Sequence, residues 1–380
     1  MLTGKILRVL GLGKIEAVFV VGARPQFIKS APVIKEILSK HKQIHLSLIH
    51  SGQHYDPEMS KIFFRELGLP TPSLNLRAGS GSHAIQTATI MRRLEACIQK
   101  TEPDVVLVPG DTNTTLAASL VAAKLGIPAA HIEAGMRSGD MTMPEEINRK
   151  LTDHCCSLLF APTRTAVRNL KSEGLGKKTY LTGDTMVDAL NAALPLVRQR
   201  EDTILGRHGL NQRRYVLVTL HRPSNVDDSD RLRSIQLALK KVATKLEVLF
   251  PVHPRTRARL AKLGHLSGTG RGIRFMNPWG YIENLCILKN SACLLTDSGG
   301  MQKEAFLLHV PCVTLRSTTE WPETLTKGAN RLVTNPEMMP QRIVDAAFNR
   351  GLRERITDLK SPFGDGHASR RIANIIQETF

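Results

Sequence analysis

The sequence predicts an α/β protein made of two doubly wound halves, each with a parallel sheet covered on both faces. Three observations carry this. Short apolar runs alternate with helix-length stretches from Glu16 to Thr182, which is the rhythm of repeated βαβ units. A polar, helical stretch without a core strand follows, from Gly183 to about Gln212. A second series of apolar runs then opens at Tyr215. The expected domains are residues 1–184 and 185–365.

Composition sets the bounds. A chain of 380 residues, 42% hydrophobic, can bury a large core and form two domains. Its 52 lysines and arginines against 34 acids give a formal net charge of +18, compatible with nucleic acid, an anionic surface or an anionic substrate. Aromatics are only 4%, no zinc-finger or RNP-like run occurs, and the basic residues are scattered, so no nucleic-acid partner is expected. The six cysteines show no CxxC or Cys/His ligand spacing, so free buried thiols and a reducing, cytoplasmic setting are expected, with no metal site. Residues 1–13 lack a long apolar region, and no window approaches 18 uninterrupted apolar residues, so neither a signal peptide nor a membrane span is expected.

In the first half, EAVFVVG (16–22) is a strand, and a helix should start soon after Pro25. The glycine turn between them carries Arg24, with Lys29 following. Backbone N–H groups pointing out of such a turn, together with a guanidinium, make an anion site. The absence of GxxxxGK[ST] excludes a P-loop. A second strand, Ile44 to Ile49, brings Gln53 and His54 to the same rim. Gly79-Ser-Gly81-Ser-His-Ala84 fits GxGxxA in letters, but no strand precedes it, which argues against a dinucleotide site. DVVLVPGD (104–111) is an apolar strand ending in Asp111. A helix-like TNTTLAASLVAAKLG then leads to a strand from Ile127 to Ile132, with Glu133 at its carboxyl end. Pro144 suits a first helical position, with Glu145 and Glu146 in the first turn and Arg149 placed for an i,i+4 pair with Glu145. Either rim acid alone would serve as a cap or a solvated loop residue. In an open parallel sheet, however, the crevice lies beyond the strand ends, so Asp111 and Glu133 should face it together. Residues 157–162 and 178–182 are further strands.

In the second half the strands are YVLVTL (215–220), LEVLFPVH (246–253), ACLLTD (292–297) and VPCVTL (310–315). His221 and Arg222, His253 and Arg255, and Arg316 follow them. Asp228-Ser-Asp230 matches a metal-binding DxD only in letters and reads as turn acids. In DSGGMQKEA (297–305), Ser298, Gly299 and Gly300 open a helix whose N–H groups suit a diphosphate. Glu304, further along that helix, can accept both hydroxyls of a ribose. Two rims of strand ends should enclose a cleft.

These motifs, GARPQFIK, GQH (52–54), GDTNTT (110–115), HIEAGMRSGD (131–140), PEEINR (144–149), the histidine of TLHRPSN, PVHP (251–254), LTDSGGMQKEA and RSTTEWPE (316–323), together resemble the non-hydrolysing UDP-N-acetylglucosamine 2-epimerases. The likeness runs from about residue 16 to the C-terminus. It implies a GT-B-like fold of two Rossmann-type domains, a homodimer, and a last helix, about 366–380, that crosses back onto the first domain. It further implies no cofactor and interconversion of UDP-N-acetylglucosamine and UDP-N-acetylmannosamine, by anti elimination of UDP to a 2-acetamidoglucal and re-addition. The match carries Arg24 and Lys29 to nucleotide and substrate binding, His221 to the leaving diphosphate, Ser298 and Gly299 to phosphate, and Glu304 to ribose. The rim position of Asp111, Glu133 and Glu145 makes them, with His221, the expected catalytic set; Gln53, His54, Arg149, His253, Gly300 and Arg316 complete the expected binding set, and Arg137 and Arg149 are expected to tune the acids.

Gln26 in place of the glutamate of GTRPE, a short stretch between Arg137 and PEE, and the GSGSH run also resemble the branch acting on UDP-2,3-diacetamido-2,3-dideoxy-glucuronate. A GT-B glycosyltransferase would share the fold, but the residue eight after Glu304 is Cys312 rather than a second glutamate.

Overall fold

The computed structural model describes residues 13–53, 64, 66–252, 254–262 and 272–380. His54 and His253, and the side chains of Arg24 and Arg255, lie outside the described residues. The chain divides into two compact units, one running to Ala192 and including Pro362–Phe380, the other Ala193–Ser361.

Unit one contains β1 (Ile15–Val21), β2 (Ile44–His50), β3 (Leu74–Asn75), β4 (Val105–Pro109), β5 (Ala129–Ile132), β6 (Leu158–Ala161) and β7 (Thr179–Leu181). They form one parallel sheet in the order β3-β2-β1-β4-β5-β6-β7. Every residue of β4, β5 and β6 is buried, as expected of strands covered on both faces. The helix Ala368–Thr379 packs on the helix Arg24–Lys40 within this unit. Its start is fastened by Asp188, whose Oδ1 accepts from the Ser369 N–H at 2.8 Å and the Ser369 hydroxyl at 2.6 Å.

Unit two contains β8 (Tyr215–Thr219), β9 (Glu247–Pro251), β10 (Ile273–Met276), β11 (Cys293–Thr296), β12 (Cys312–Thr314) and β13 (Asn330–Leu332). Their parallel order is β10-β9-β8-β11-β12-β13. The polar helical stretch between the two series is one helix, Thr185–His208. The short strands β3, β10 and β13 were not foreseen: two exposed residues, four half-buried ones and three residues beginning with Asn carry too little apolar pattern.

Strand order reverses between β1 and β4 in the first sheet and between β8 and β11 in the second. Those switch points are where an open α/β sheet leaves a crevice beyond its strand ends. The residues following β1 and β4 are Gly22 and Gly110-Asp111; those following β8 and β11 are Leu220-His221 and Asp297-Ser298. No helix among the described residues is long and apolar enough to cross a membrane.

Just after β5 the backbone turns at Gly135, at φ +80°, where an added Cβ would lie 2.5 Å from the Ala166 carbonyl oxygen and 2.8 Å from Leu170 Cγ. Gly135→Ala combines a left-handed alanine with a backbone collision, and should destabilise unit one by about 3 kcal/mol. The shift in urea midpoint measures it; an unchanged midpoint would show that the 164–172 helix yields freely.

Candidate active site

The register pairing Pro109 with Ile132 sets Gly110 beside Glu133, and the Gly110 N–H donates to the Ile132 carbonyl at 3.0 Å. Glu133, 8% exposed, is ion-paired with Lys29. The open side of Gly110 faces this pair, with Glu133 Oε2 and Lys29 Nζ at 3.7 and 3.8 Å from where a Cβ would stand. Asp111 Oδ2 receives Arg149 Nε at 3.0 Å and Nη2 at 2.8 Å. The same buried guanidinium gives Nη1 to Glu146 at 2.6 Å. Asn148 Nδ2 donates to the Asp111 carbonyl at 3.0 Å. Glu145 stands half-buried in the first turn of the helix Pro144–Cys155. The structure therefore brings Asp111, Glu133, Lys29 and Arg149 to one place.

That helix is inside out. It buries Glu146, Asn148, Arg149, Thr152 and Asp153, while Ile147 and Leu151 are 40% and 46% exposed. Glu146 accepts from the Ser138 N–H (2.9 Å) and hydroxyl (3.1 Å) and from the Gly139 N–H (3.1 Å). Asp153 takes His131 Nδ1 at 2.6 Å, the Gly135 N–H at 3.0 Å and Arg137 Nη1 at 2.8 Å. Burial pushes the Asp153 carboxyl up, but His131 and Arg137 outweigh it and hold the group below the ordinary carboxylate range. Arg137, expected beside the rim acids, is instead engaged by Asp153 and by a two-point pair with Glu173 at 2.8 and 2.7 Å. The sequence motif HIEAGMRSGD contains His131 but gives it no role, Asp153 stands out in no motif, and Glu146 reads from sequence only as a first-turn acid.

The turn after β1 differs from the expected anion cradle. The N–H groups of Gly22 and Ala23 both donate to Gln26 Oε1, at 2.8 and 3.0 Å. Gln26 Nε2 donates onward to the Pro109 carbonyl at 2.9 Å and Thr115 Oγ1 at 3.0 Å. Gln26 thus ties the end of β1 to the end of β4 with all of its amide. Gly22 is required by packing: its Cβ would fall 2.2 Å from both Ser51 Oγ and Thr114 Oγ1. Gln53 is half-buried and accepts from the Thr114 N–H (3.2 Å) and hydroxyl (2.7 Å).

In unit two the centre is Asp297, fully buried at the end of β11. It accepts from the backbone N–H of His221 (3.1 Å) and Arg222 (3.0 Å) and from Asn225 Nδ2 (3.1 Å), and lies 3.2 Å from His221 Nδ1. The His221 ring, 45% exposed, is thereby held at the rim. Burial raises the Asp297 carboxyl, but His221, Asn225 and the Arg222 N–H bring it below the ordinary value. The Ser298 N–H is taken by Thr296 Oγ1 at 3.0 Å, and the Ser298 side chain makes no cap bond to the helix Gly299–Leu307. Gly299 is demanded by packing, since its Cβ would meet Glu320 Oε1 at 2.2 Å. At Gly300 nothing lies within 4 Å, so this face of the helix start is open. Glu304 is 4% exposed and raises the buried Tyr281 phenol, after burial itself. Arg316 Nη1 is bound to Glu320 Oε2 at 2.7 Å, both buried. Lys303 is buried with Nζ 3.7 Å from the Trp321 ring centroid. Asp228 caps its helix through the Asp230 and Arg231 N–H groups. Among the described residues no group of three or more His, Cys, Asp or Glu could hold a metal ion.

Two doubly wound parallel sheets, each with charged groups gathered at its switch point, define a protein of the GT-B-like α/β class. The family model for UDP-N-acetylglucosamine 2-epimerase matches residues 36–377. A UDP-N-acetylglucosamine 2-epimerase homolog of Methanococcus maripaludis is 45% identical, covering 95% of this chain and 99% of its own. The UDP-2,3-diacetamido-2,3-dideoxy-D-glucuronate 2-epimerase of Pseudomonas aeruginosa is 44% identical, over 94% and 98%. The crystal structure of Methanocaldococcus jannaschii UDP-GlcNAc 2-epimerase in complex with UDP-GlcNAc and UDP superposes with a TM-score of 0.89 at 41% identity, covering 96% of this chain and 100% of that one. The chain belongs to the UDP-N-acetylglucosamine 2-epimerase family.

Two outcomes follow from the geometry. Gln26→Leu leaves the Gly22 and Ala23 N–H groups without their acceptor, while the Pro109 carbonyl keeps the Thr115 hydroxyl, and should cost about 3 kcal/mol in denaturant unfolding. A loss below 1 kcal/mol would show that water replaces the amide. A carboxyl depressed in the folded state contributes stability that is present above its unfolded value, near 3.9 by reference, and is lost as pH falls through the folded value. Asp297→Asn should therefore lower the urea midpoint at pH 7 and shrink the further drop between pH 5 and pH 2, relative to the parent chain.

Proposed function

We propose that the chain is a non-hydrolysing UDP-N-acetylglucosamine 2-epimerase, interconverting UDP-N-acetylglucosamine and UDP-N-acetylmannosamine. The observation that carries this is the cluster beyond β4 and β5, where Asp111 and Glu133 stand at adjacent strand ends, each paired with a cation. The hydrogen on carbon 2 of an acetamido sugar is weakly acidic, so its removal requires that the anomeric bond break with it. A carboxylate of the set Asp111, Glu133 and Glu145 takes that proton. The C–H electrons form the C1–C2 double bond of a 2-acetamidoglucal, and the C1–O pair leaves with the β-phosphate of UDP. Return of a proton to the opposite face of carbon 2, with attack of the UDP oxygen on carbon 1, gives the epimer. The site must stabilise a departing diphosphate and a ring gaining positive charge. His221, steadied by Asp297, with Arg24, Lys29, Ser298 and the open Gly300 helix start, is assigned to the diphosphate. Glu304 is assigned to the ribose. Gln53, His54, Arg149, His253 and Arg316 complete the binding set, Arg149 by holding Asp111 in place.

The same reading places the enzyme in the cytoplasm as a homodimer supplying an activated amino sugar to polysaccharide biosynthesis. The outward apolar residues Ile147 and Leu151 of the inside-out helix support a second copy as their cover. The alternative substrate, UDP-2,3-diacetamido-2,3-dideoxy-glucuronate, is supported by the 44% identity to the Pseudomonas enzyme and by Gln26.

In heavy water, without added metal or nicotinamide, UDP-N-acetylglucosamine should yield the manno epimer carrying deuterium at carbon 2. Asp111→Asn should reduce turnover by about a thousandfold with UDP affinity nearly intact. Deuterium incorporation only into the diacetamido glucuronate nucleotide would shift the assignment to that substrate, and bulk free sugar would replace epimerisation by hydrolysis.

A further inference from the structure

The Gly110–Asp111 pair after β4 is gripped at nearly every polar group. The Gly110 N–H donates to Ile132, the Gly110 carbonyl lies 2.7 Å from His131 Nε2, the Asp111 carbonyl accepts from Asn148, and the Asp111 carboxylate is held by Arg149. The exception is the Asp111 N–H, which has no acceptor among the described residues. In a trans peptide the C=O and the following N–H point in opposite directions. The contact that draws the Gly110 carbonyl onto His131 therefore turns the Asp111 N–H away from the buried ring. Gly110 itself, at φ +69°, adopts a backbone conformation suited to glycine and faces Glu133 and Lys29.

His131 is fully buried, and both of its ring nitrogens meet oxygen: Gly110 O at 2.7 Å and Asp153 Oδ1 at 2.6 Å. A carbonyl only accepts, so Nε2 carries a proton. On the other side of the ring Asp153, itself held through its other oxygen by the Gly135 N–H and the Arg137 guanidinium, fixes the orientation of the imidazole.

We infer that the buried His131, donating from Nε2 to the Gly110 carbonyl, fixes the Gly110–Asp111 peptide and so presents the Asp111 N–H to the carbonyl oxygen of the substrate's 2-acetamido group. The choice of acceptor rests on the epimerase reading, in which Asp111 is one of the carboxylates set about carbon 2: the acetamido group is borne by that carbon, and its amide oxygen is the strongest acceptor there. His131 acts through the peptide and is a positioning residue.

The test compares affinities for UDP-N-acetylglucosamine and UDP-glucose, which carries a hydroxyl in place of the acetamido group. One neutral hydrogen bond corresponds to about tenfold. His131→Phe should narrow the parent chain's preference for the acetamido sugar by about tenfold while leaving UDP affinity unchanged, and His131→Gln, whose amide can still donate to Gly110, should recover part of it. In the parent chain labelled with 15N, the Asp111 amide proton should shift downfield with UDP-N-acetylglucosamine and not with UDP-glucose, and His131 Nε2 should carry a proton. This readout decides the matter if His131→Phe does not fold. An unchanged preference in folded His131→Phe, an Asp111 amide indifferent to the acetamido group, or a His131 Nε2 without a proton overturns the inference. If the parent chain epimerises while these fail, the positioning role falls alone; if it does not epimerise, the functional reading falls first.

Discussion

Carboxylates buried at the end of a parallel sheet stay ionised only when cations are buried with them, and that constraint shapes unit one. Removing an ion from water costs several kcal/mol even after relaxation, and deleting one partner of a buried pair leaves a stranded charge worth about 3–5 kcal/mol. Glu133 is met by Lys29, Asp111 and Glu146 by Arg149, and Asp153 by His131 and Arg137. The inside-out helix is a consequence. To deliver Glu146, Arg149 and Asp153 to the sheet end, its polar stripe must face inward, and Ile147 and Leu151 are left outside.

Unit two meets the same requirement with fewer charges. Asp297 is satisfied chiefly by backbone and amide N–H groups, Arg316 is buried against Glu320, and Lys303 lies over the Trp321 ring. A cation on an indole face keeps part of its stabilisation without a second buried anion. Asp111 and Asp297 stand where strand order reverses and Glu133 and Arg316 follow the next strand over, so sheet topology, rather than any single motif, decides which side chains meet.

The rim acids were legible in the sequence because they obey strand logic: a continuous apolar run has to end, and the residue after it stands at the rim. The two-series organisation was legible for the same reason. The glycine turns were legible as turns but not in what they serve. Gly22 and Gly299 make room for Ser51, Thr114 and Glu320, and the N–H groups after β1 are consumed by Gln26, a partner four residues along whose folding back no local pattern announces. The helix at 144–155 misled in a different way. Glu146, Arg149 and Asp153 recur at i, i+3 and i+7, which ordinarily marks a solvated face. The available signal was His131: a histidine inside the wholly apolar run AAHI must be buried, and a buried imidazole needs polar partners from the next layer.

Glu133 shows why the arrangement is more than charge pairing. It lies at φ +75°, in the left-handed region that costs a non-glycine residue roughly 1–3 kcal/mol. Gly135, two residues on, takes a similar conformation without that cost. The strained position is instead a glutamate, and its backbone is over-determined: the N–H groups of Glu133 and Ala134 both donate to the Phe160 carbonyl, at 3.1 and 3.0 Å. Phe160 is fixed in turn by its register opposite Ile132 in the all-buried strands β5 and β6. The sheet core thus imposes the turn, and the Lys29 ion pair is compatible only with a chain that has turned there. A glycine at this position would relieve the backbone and leave the half-buried Lys29 without that carboxylate. The local strain and the buried ion pair are therefore one device, which sets a carboxylate beside Gly110 at the end of β4.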